Sequence, residues 1–194
     1  MCIRDRMVPD QTGKSVVITG SNTGIGFHMA RAMASKGASV VMACRSAEKA
    51  ERARDAIVSE IPDSEISVME LDLADLSSVE GFSKDLMADS GRLDVLINNA
   101  GVMIPPKSRT KDGFELQFGT NHLGHFALTG HLLPLLESTE GSRVVTVSSI
   151  VHNSGRIDFD DLNGDRKRYS KWGFYAQSKI CLLYTSPSPR DPTK

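Results

Sequence analysis

From Lys14 onward, short apolar runs alternate with segments whose apolar residues recur every three or four positions. "SVVIT" (Ser15 to Thr19) reads as a buried strand. A glycine-rich turn follows, then a helical pattern with Ile25, Met29, Ala32 and Met33 on one face, ending at Gly37. "ASVVMAC" predicts a second strand. Ser46 is placed to cap the next helix, which runs to Ile61 before Pro62. "EISVMELDL" predicts a third strand, and a helix fits Leu76 to Asp89. "LDVLINNAG" predicts a fourth strand running into a turn. A long helix fits Phe114 to Leu133, with Pro134 as its stop. "RVVTVSS" predicts a fifth strand, followed by a polar stretch and a helix beginning near Lys171.

Strands that are apolar throughout, separated by helices, predict a parallel sheet covered on both faces. Strict alternation of strand and helix makes this a Rossmann-type, doubly wound α/β sheet of about five strands. The 194 residues suit one domain, with 40% apolar and 24% charged positions. A net charge of −1 asks for neither nucleic acid nor an anionic membrane as partner. No apolar run approaches the roughly 18 residues of a membrane span, and the N-terminus lacks a signal-peptide core. Cys2, Cys44 and Cys181 match no zinc or disulfide spacing. The resulting expectation is a reduced, cytoplasmic protein without a metal.

"TGSNTGIG" (Thr19 to Gly26) lies between the first strand and the first helix, where a dinucleotide loop belongs. Gly20 permits the tight turn, Gly24 lets the backbone approach a pyrophosphate, and Gly26 lets helix and strand pack closely. The helix N-terminus then offers its free N–H groups and positive dipole end to the phosphates. Ser21, Asn22, Thr23 and Ile25 complete the expected cofactor loop. At the end of the second strand an acid would accept the ribose hydroxyls of NAD, whereas a base can pair with the extra phosphate of NADP. Arg45 stands there, with Ser46 beside it, so NADP is expected in preference to NAD.

The glycine spacing is G-x-x-x-G-x-G, and further motifs follow in order: "NNAG" (Asn98 to Gly101), "NHLGHF" beginning at Asn121, "VSS" ending at Ser149, and Tyr175-x-x-x-Lys179 in "YAQSK". Together these resemble the short-chain dehydrogenase/reductase family. The wording "FELQFGTNHLGHFALT" and "KRYSKWGFYAQSK" is most similar to its retinol-dehydrogenase-like branch. The resemblance implies a hydride transfer between NADP(H) and a small-molecule alcohol or carbonyl substrate. It also implies adenine contacts at Asp72 and Leu73, and a cleft lined by Asn99, Ala100 and Gly101. A homo-oligomeric parent is compatible with it.

Tyr175 and Lys179 share one helix face. A tyrosine of ordinary pKa is a poor base at neutral pH. An ammonium about 4–5 Å away stabilises its phenolate by roughly 3–4 kcal/mol at an effective dielectric near 20. Tyr175 can then exchange a proton with an alcohol or carbonyl oxygen, and Ser149 can donate a hydrogen bond to the same oxygen. By resemblance, Lys179 also binds the nicotinamide ribose, and Asn121 holds a water that links Lys179 to solvent. A catalytically silent cofactor-binding or scaffold protein on the same fold is the rival reading, which the intact set of four argues against.

Other features read as structural. His122 and His125 lack a third ligand at metal spacing and are expected to pack or hydrogen-bond. Arg166, Lys167 and Arg168 sit close to Asp160, Asp161 and Asp165, as on a solvated loop. Gly119, Gly124 and Gly130 each weaken the long helix by about 1 kcal/mol relative to alanine, which leaves open whether close packing requires them.

The two ends fit nothing between them. "MCIRDR" and "CLLYTSPSPRDPTK" can both be translated from one DNA element, read in opposite orientations, that resembles a sequencing adapter. Residues 1–6 and 181–194 are therefore expected to be artefactual, leaving 7–180 as a C-terminally shortened oxidoreductase domain. On that reading the fifth strand lies at an open edge, and the chain by itself is an inactive fragment.

Overall fold

The computed structural model of the chain describes residues 8–185. The strands are β1 (Ser15–Thr19), β2 (Ser39–Cys44), β3 (Ile66–Glu70), β4 (Val95–Asn98) and β5 (Arg143–Thr146). They form one parallel sheet in the order β3-β2-β1-β4-β5. The chain steps outward from β1 to β3, then crosses back to start β4 on the other side of β1. Such a reversal opens a crevice at the C-terminal ends of β1 and β4.

Alternate residues of the central strands feed two cores, as a period of two requires. Val17, Val41 and Leu96 pack with Phe82 and Leu86 of α3 (Leu76–Asp89) and with Leu128 and Leu132 of α5 (Gly124–Ser138). Val16, Ile18, Val40 and Met42 pack with Ala30 and Ala34 of α1 (Gly24–Ala34) and Ile57 of α2 (Ala47–Glu60). Ser46 caps α2 as expected, accepting from the Lys49 N–H, and Asp75 caps α3 through Ser77.

The apolar face of α1 is not the one the sequence pattern suggests. Gly26, Ala30 and Ala34, four apart, are buried, while Ile25 is 58% exposed. Small residues let the helix axis lie close to the sheet. Phe27, Met29 and Met33 then pack at the margins of the core.

The long helix also departs from expectation. It comprises a short turn, α4 (Leu116–Phe118), a π-helical turn over Gly119–Leu123, and α5. Pro134 lies inside α5 and does not stop it. An internal proline costs about 3 kcal/mol. Continuing the helix buries Leu135 and Leu136 in the core, at about 1.5–3 kcal/mol each, which offsets that cost.

Packing explains two of the three helix glycines. A Cβ on Gly119 would lie 2.3 Å from the Thr110 side chain, and one on Gly124 would lie 2.4 Å from the Leu73 carbonyl oxygen. A Cβ on Gly130 would meet nothing within 4 Å.

The buried Thr19 hydroxyl ties strand, crevice and helix together. It accepts from the backbone N–H groups of Asn99 and Ala100, each at 2.9 Å, and lies 2.9 Å from His125 Nε2. His125 Nδ1 is 2.9 Å from the Asn121 carbonyl, which can only accept. Nδ1 therefore carries the hydrogen, and Nε2 accepts the Thr19 proton. Full burial lowers the His125 pKa to about 4. His122 instead stacks on Phe118 at 5.5 Å. His125 is thus a hydrogen-bonding group and His122 a packing one.

β5 lies at one edge of the described sheet, with Val144 44% and Val145 43% exposed. The last helix, α6 (Lys171–Thr185), runs across the boundary at residue 180, and Cys181 and Leu182 are buried. Once a helix is started, each further residue adds a backbone bond, and these two apolar side chains face the domain. Residues 1–6 and the proline-rich end from 186 lie outside the described residues. Among the described residues no helix is long and apolar enough to cross a membrane, and no cluster has the composition of a metal site.

Two predictions follow from this packing. Gly124→Ala should lower stability by about 1–3 kcal/mol through overpacking against backbone, whereas Gly130→Ala should be neutral or stabilise by up to about 1 kcal/mol. Urea midpoints for the two variants test this, and equal shifts would contradict it. For His125, the unfolded chain takes up a proton near pH 6.5 and the folded one only near 4. Between these values the unfolded state holds more protons, so unfolding free energy falls as the pH drops. Over that window the natural protein should lose about 3 kcal/mol more than His125→Gln. Parallel urea-unfolding curves for the two would show the assignment to be wrong.

Candidate active site

The glycine loop shapes the first part of the crevice. Gly20 (φ 64°) and Gly24 (φ 58°) take left-handed conformations that side chains disfavour. A Cβ on Gly20 would lie 2.8 Å from the Ala100 side chain, and one on Gly26 would lie 2.6 Å from the Gly20 carbonyl oxygen. Asn99 Nδ2 donates to the Thr19 carbonyl at 2.8 Å and to the Gly20 carbonyl at 3.3 Å, which fastens the loop to the end of β4. Thr23 precedes α1 but makes no side-chain cap. The first N–H groups of α1 are thus left without the capping that α2 and α3 receive. A pyrophosphate suits them.

A cleft of about 380 Å³ runs from this loop past Arg45 and Asp72 to Gly101. Gly20, Asn22, Thr23, Ile25 and Gly26 line it on one side, and Leu73, Asn99 and Ala100 on the other. Gly24 faces the neighbouring groove beside α2. Arg45 is exposed and forms no ion pair among the described residues. Asp72 turns one carboxylate oxygen back onto the Ala74 N–H at 2.9 Å. Two of the expected cofactor residues are held elsewhere. Ser21 is fully buried and donates to the Ile18 carbonyl at 3.0 Å, and Ser46 is occupied as the cap of α2. Their hydroxyls meet local backbone groups, the Ile18 carbonyl and the Lys49 N–H.

A second cavity, of about 270 Å³, continues from Asn99 and Gly101 to Ser149, Tyr175 and Lys179. Ser149 sits at the exit of β5, where it also caps a 3₁₀ turn over Ile150–Ser154. Tyr175 and Lys179 stand one turn apart on α6, with Lys179 Nζ 5.9 Å from the Tyr175 ring centroid. Lys179 is 5% exposed and donates to the Val147 carbonyl at 3.1 Å. Burial pulls its pKa below the usual lysine value.

Asn121 lies behind this cavity rather than in its wall. Its Oδ1 accepts from the Val102 N–H at 2.8 Å, and its Nδ2 donates to the Val102 carbonyl and to Ser178 Oγ, each at 3.0 Å. Only Gly101 separates it from the cavity. A Cβ there would meet Asn121 Oδ1 at 3.2 Å and Lys179 Nζ at 3.6 Å. The π-helical turn turns this amide toward Val102 and Ser178, and the 3.6-residue pattern of the sequence carried no sign of it.

Sequence reasoning also missed Met103 in the cavity wall, the Val147 carbonyl and the supports beneath them. The polar stretch before α6 is one such support. Asp161 accepts from the N–H groups of Asp165, Arg166 and Lys167, and Lys167 pairs with Asp158. The basic cluster is thus on an exposed loop, with Lys167 paired to Asp158.

Comparison with known proteins places the fold and the sequence in one family. Human retinol dehydrogenase 13 is 45% identical over 171 residues, covering 88% of this chain and 52% of that protein. Human retinol dehydrogenase 12 is 48% identical over 174 residues, covering 89% and 55%. The chain therefore spans about half the length of these relatives. An uncharacterised protein from Mycobacterium paratuberculosis, of known crystal structure, superposes with a TM-score of 0.82 at 47% identity, over 93% of this chain and 63% of that one. A protein of Escherichia coli CFT073, described as a short-chain dehydrogenase and crystallised with NADPH, superposes with a TM-score of 0.71 at 26% identity, over 90% and 70%. Residues 14–159 match the sequence profile of the short chain dehydrogenases, and on fold, motif order and profile together the chain belongs to the short-chain dehydrogenase family, within which it is similar to the retinol dehydrogenases.

Proposed function

We propose that the full-length protein is an NADP-dependent oxidoreductase acting on an alcohol or carbonyl substrate, with Tyr175 as general acid and base. One observation carries this reading: the cleft that begins at Arg45 leads into the cavity walled by Ser149, Tyr175 and Lys179. The uncapped start of α1, the left-handed glycines and Arg45, without an ion pair among the described residues, fit a dinucleotide with an extra phosphate. When bound, the cofactor supplies or accepts the hydride.

In the reducing direction Tyr175 gives its hydroxyl proton to the carbonyl oxygen; in the oxidising direction it takes the proton back. Ser149 Oγ hydrogen-bonds the same oxygen and holds it in line with Tyr175. Lys179 stabilises the phenolate that remains. Burial works against the lysine's charge, so a neighbouring phenolate or cofactor ribose strengthens the protonated form.

The cavity mouth favours an apolar substrate. Ile25 (58% exposed) and Met103 (56%) flank it, Ile150 (81%) follows Ser149, and Trp172 packs edge-on to Tyr175 at 6.4 Å. The likeness to retinol dehydrogenases supports the same substrate class.

Two substitutions in the full-length protein test this. Arg45→Asp should lower the NADPH-over-NADH ratio of kcat/KM by roughly ten- to hundredfold, the effect of losing one charge-assisted contact. A wild-type preference for NADH, or an unchanged ratio, would remove Arg45 from phosphate recognition. Tyr175→Phe should cut kcat by about a hundredfold or more while NADPH affinity stays within about threefold. Near-normal turnover by that variant would instead favour a cofactor-binding protein without this chemistry.

A further inference from the structure

Gln117 is fully buried, and its amide is shared between two segments that meet at the cavity. Its Oε1 accepts from the Ile104 N–H at 2.8 Å, and its Nε2 donates to the Lys171 carbonyl at 2.9 Å. The Tyr169 hydroxyl lies 3.4 Å from the same Nε2. The partners settle the amide's orientation: a backbone N–H can only donate, and a backbone carbonyl can only accept. Asn121, four residues on, repeats the pattern. It holds Val102 with both sides of its amide and Ser178 with its Nδ2. Two buried amides on the bulged helix thus fasten segment 102–104 to α6 at two points. Tyr175 lies between those points, four residues after Lys171 and three before Ser178.

The segment they hold is strained. Ile104, with φ 50°, is the one non-glycine residue of positive φ among the described residues. A β-branched side chain disfavours that conformation by about 1–3 kcal/mol, and it persists only where its surroundings enforce it. The enforcing contact at its N–H is Gln117. Next to Gln117, the buried Glu115 carboxylate accepts from the Phe118 N–H and from the Tyr169 hydroxyl, each at 2.7 Å. Tyr169 also stacks on Phe174 at 4.9 Å, one residue before Tyr175. Burial, with the Glu115 hydrogen bond, pushes the Tyr169 pKa up to about 12, so the hydroxyl remains a donor across the working range of pH.

We infer that Gln117 is a positioning residue for the proton transfer at Tyr175, holding α6 against the strained 102–104 segment so that the phenol and the cofactor cleft keep a fixed separation. This rests on the oxidoreductase reading above. A displacement near 1 Å at a reacting group can cost about a hundredfold in rate. The effect should therefore appear in kcat rather than in cofactor affinity, because Gln117 lines neither the cleft nor the cavity.

The test uses the full-length protein with NADPH and a carbonyl substrate. Gln117→Met keeps the length and removes the hydrogen bonds to Ile104, Lys171 and Tyr169. It should lower kcat by roughly ten- to hundredfold, with the Kd for NADPH within about threefold of wild type. Gln117→Glu adds a pH signature. When protonated, its carboxyl can accept from Ile104 and donate to Lys171, as glutamine does; when ionised, it presents charge to the Lys171 carbonyl. Burial raises a carboxyl pKa by several units, to as much as about 8–9. The titratable groups beside it are Tyr169, Glu115 beyond it, and Lys107, whose ammonium lies 5.6 Å from the Tyr169 ring. The ratio of Gln117→Glu kcat to wild-type kcat should thus rise as the pH falls from about 8.5 to 6, over and above the limb that Tyr175 gives both enzymes as the acid. If Gln117→Met fails to fold, that profile decides. Should both variants keep kcat within twofold of wild type, or Gln117→Glu follow the wild-type pH profile, the inference is overturned. It is also overturned if NADPH affinity falls in parallel with kcat. An unsubstituted protein without turnover would overturn the oxidoreductase reading and this role with it; an active one with indifferent variants would overturn only the role of Gln117.

Discussion

The Thr19 hydroxyl has one hydrogen to give and two lone pairs to fill, at a fully buried point. Asn99 and Ala100 fill the lone pairs, and the hydrogen goes to His125 at 2.9 Å, with the Ile97 carbonyl beside it at 3.4 Å. Through them one oxygen joins the end of β1, the exit of β4 and the helix that follows. An apolar residue of similar shape would leave two backbone N–H groups and a histidine nitrogen unpaired, each at about 1–3 kcal/mol. The contact of Ala100 with Gly20, and of Asn99 with the Gly20 carbonyl, depends on that junction. The cofactor cleft is therefore held from beneath by a neutral hydrogen-bond chain rather than by ion pairs.

The helix behind the cleft is organised around its irregularity. The π-helical turn at Gly119–Leu123 costs regular hydrogen bonding, and the glycines on either side of its start and end lower helix propensity further. In return Gly119 and Gly124 let the helix lie against Thr110 and Leu73 at distances no Cβ could enter. The turned backbone directs Asn121 toward Val102 and Ser178 while its carbonyl meets His125. Functional sites commonly use such π-bulges.

Buried polar groups around the cavity are satisfied mainly by backbone partners. Lys179 meets the Val147 carbonyl, Gln117 meets Ile104 and Lys171, and Glu115 meets the Phe118 N–H. Backbone partners keep their place when a side chain would change rotamer. The geometry at Tyr175 is thus set by the sheet and two helices together.

The order of strands and helices, the dinucleotide loop and the Tyr175–Lys179 pair were legible in the sequence, because each is a local matter of period, capping or spacing. The Ser46 cap and the limits of α3 followed for the same reason. What sequence could not decide depended on partners distant along the chain. Pro134 continues its helix because Leu135 and Leu136 reach the core beyond it. Ile25 faces outward because only glycine and alanine fit between α1 and the sheet. Gly124 is required and Gly130 is free because of what lies opposite each, not because of their place in the helix. Ser21, read as a cofactor contact, is spent on the Ile18 carbonyl. Local chemistry determined which elements form and which residues are candidates for the chemistry; only the approach of separate segments decided which side chains face the cleft and what holds them there.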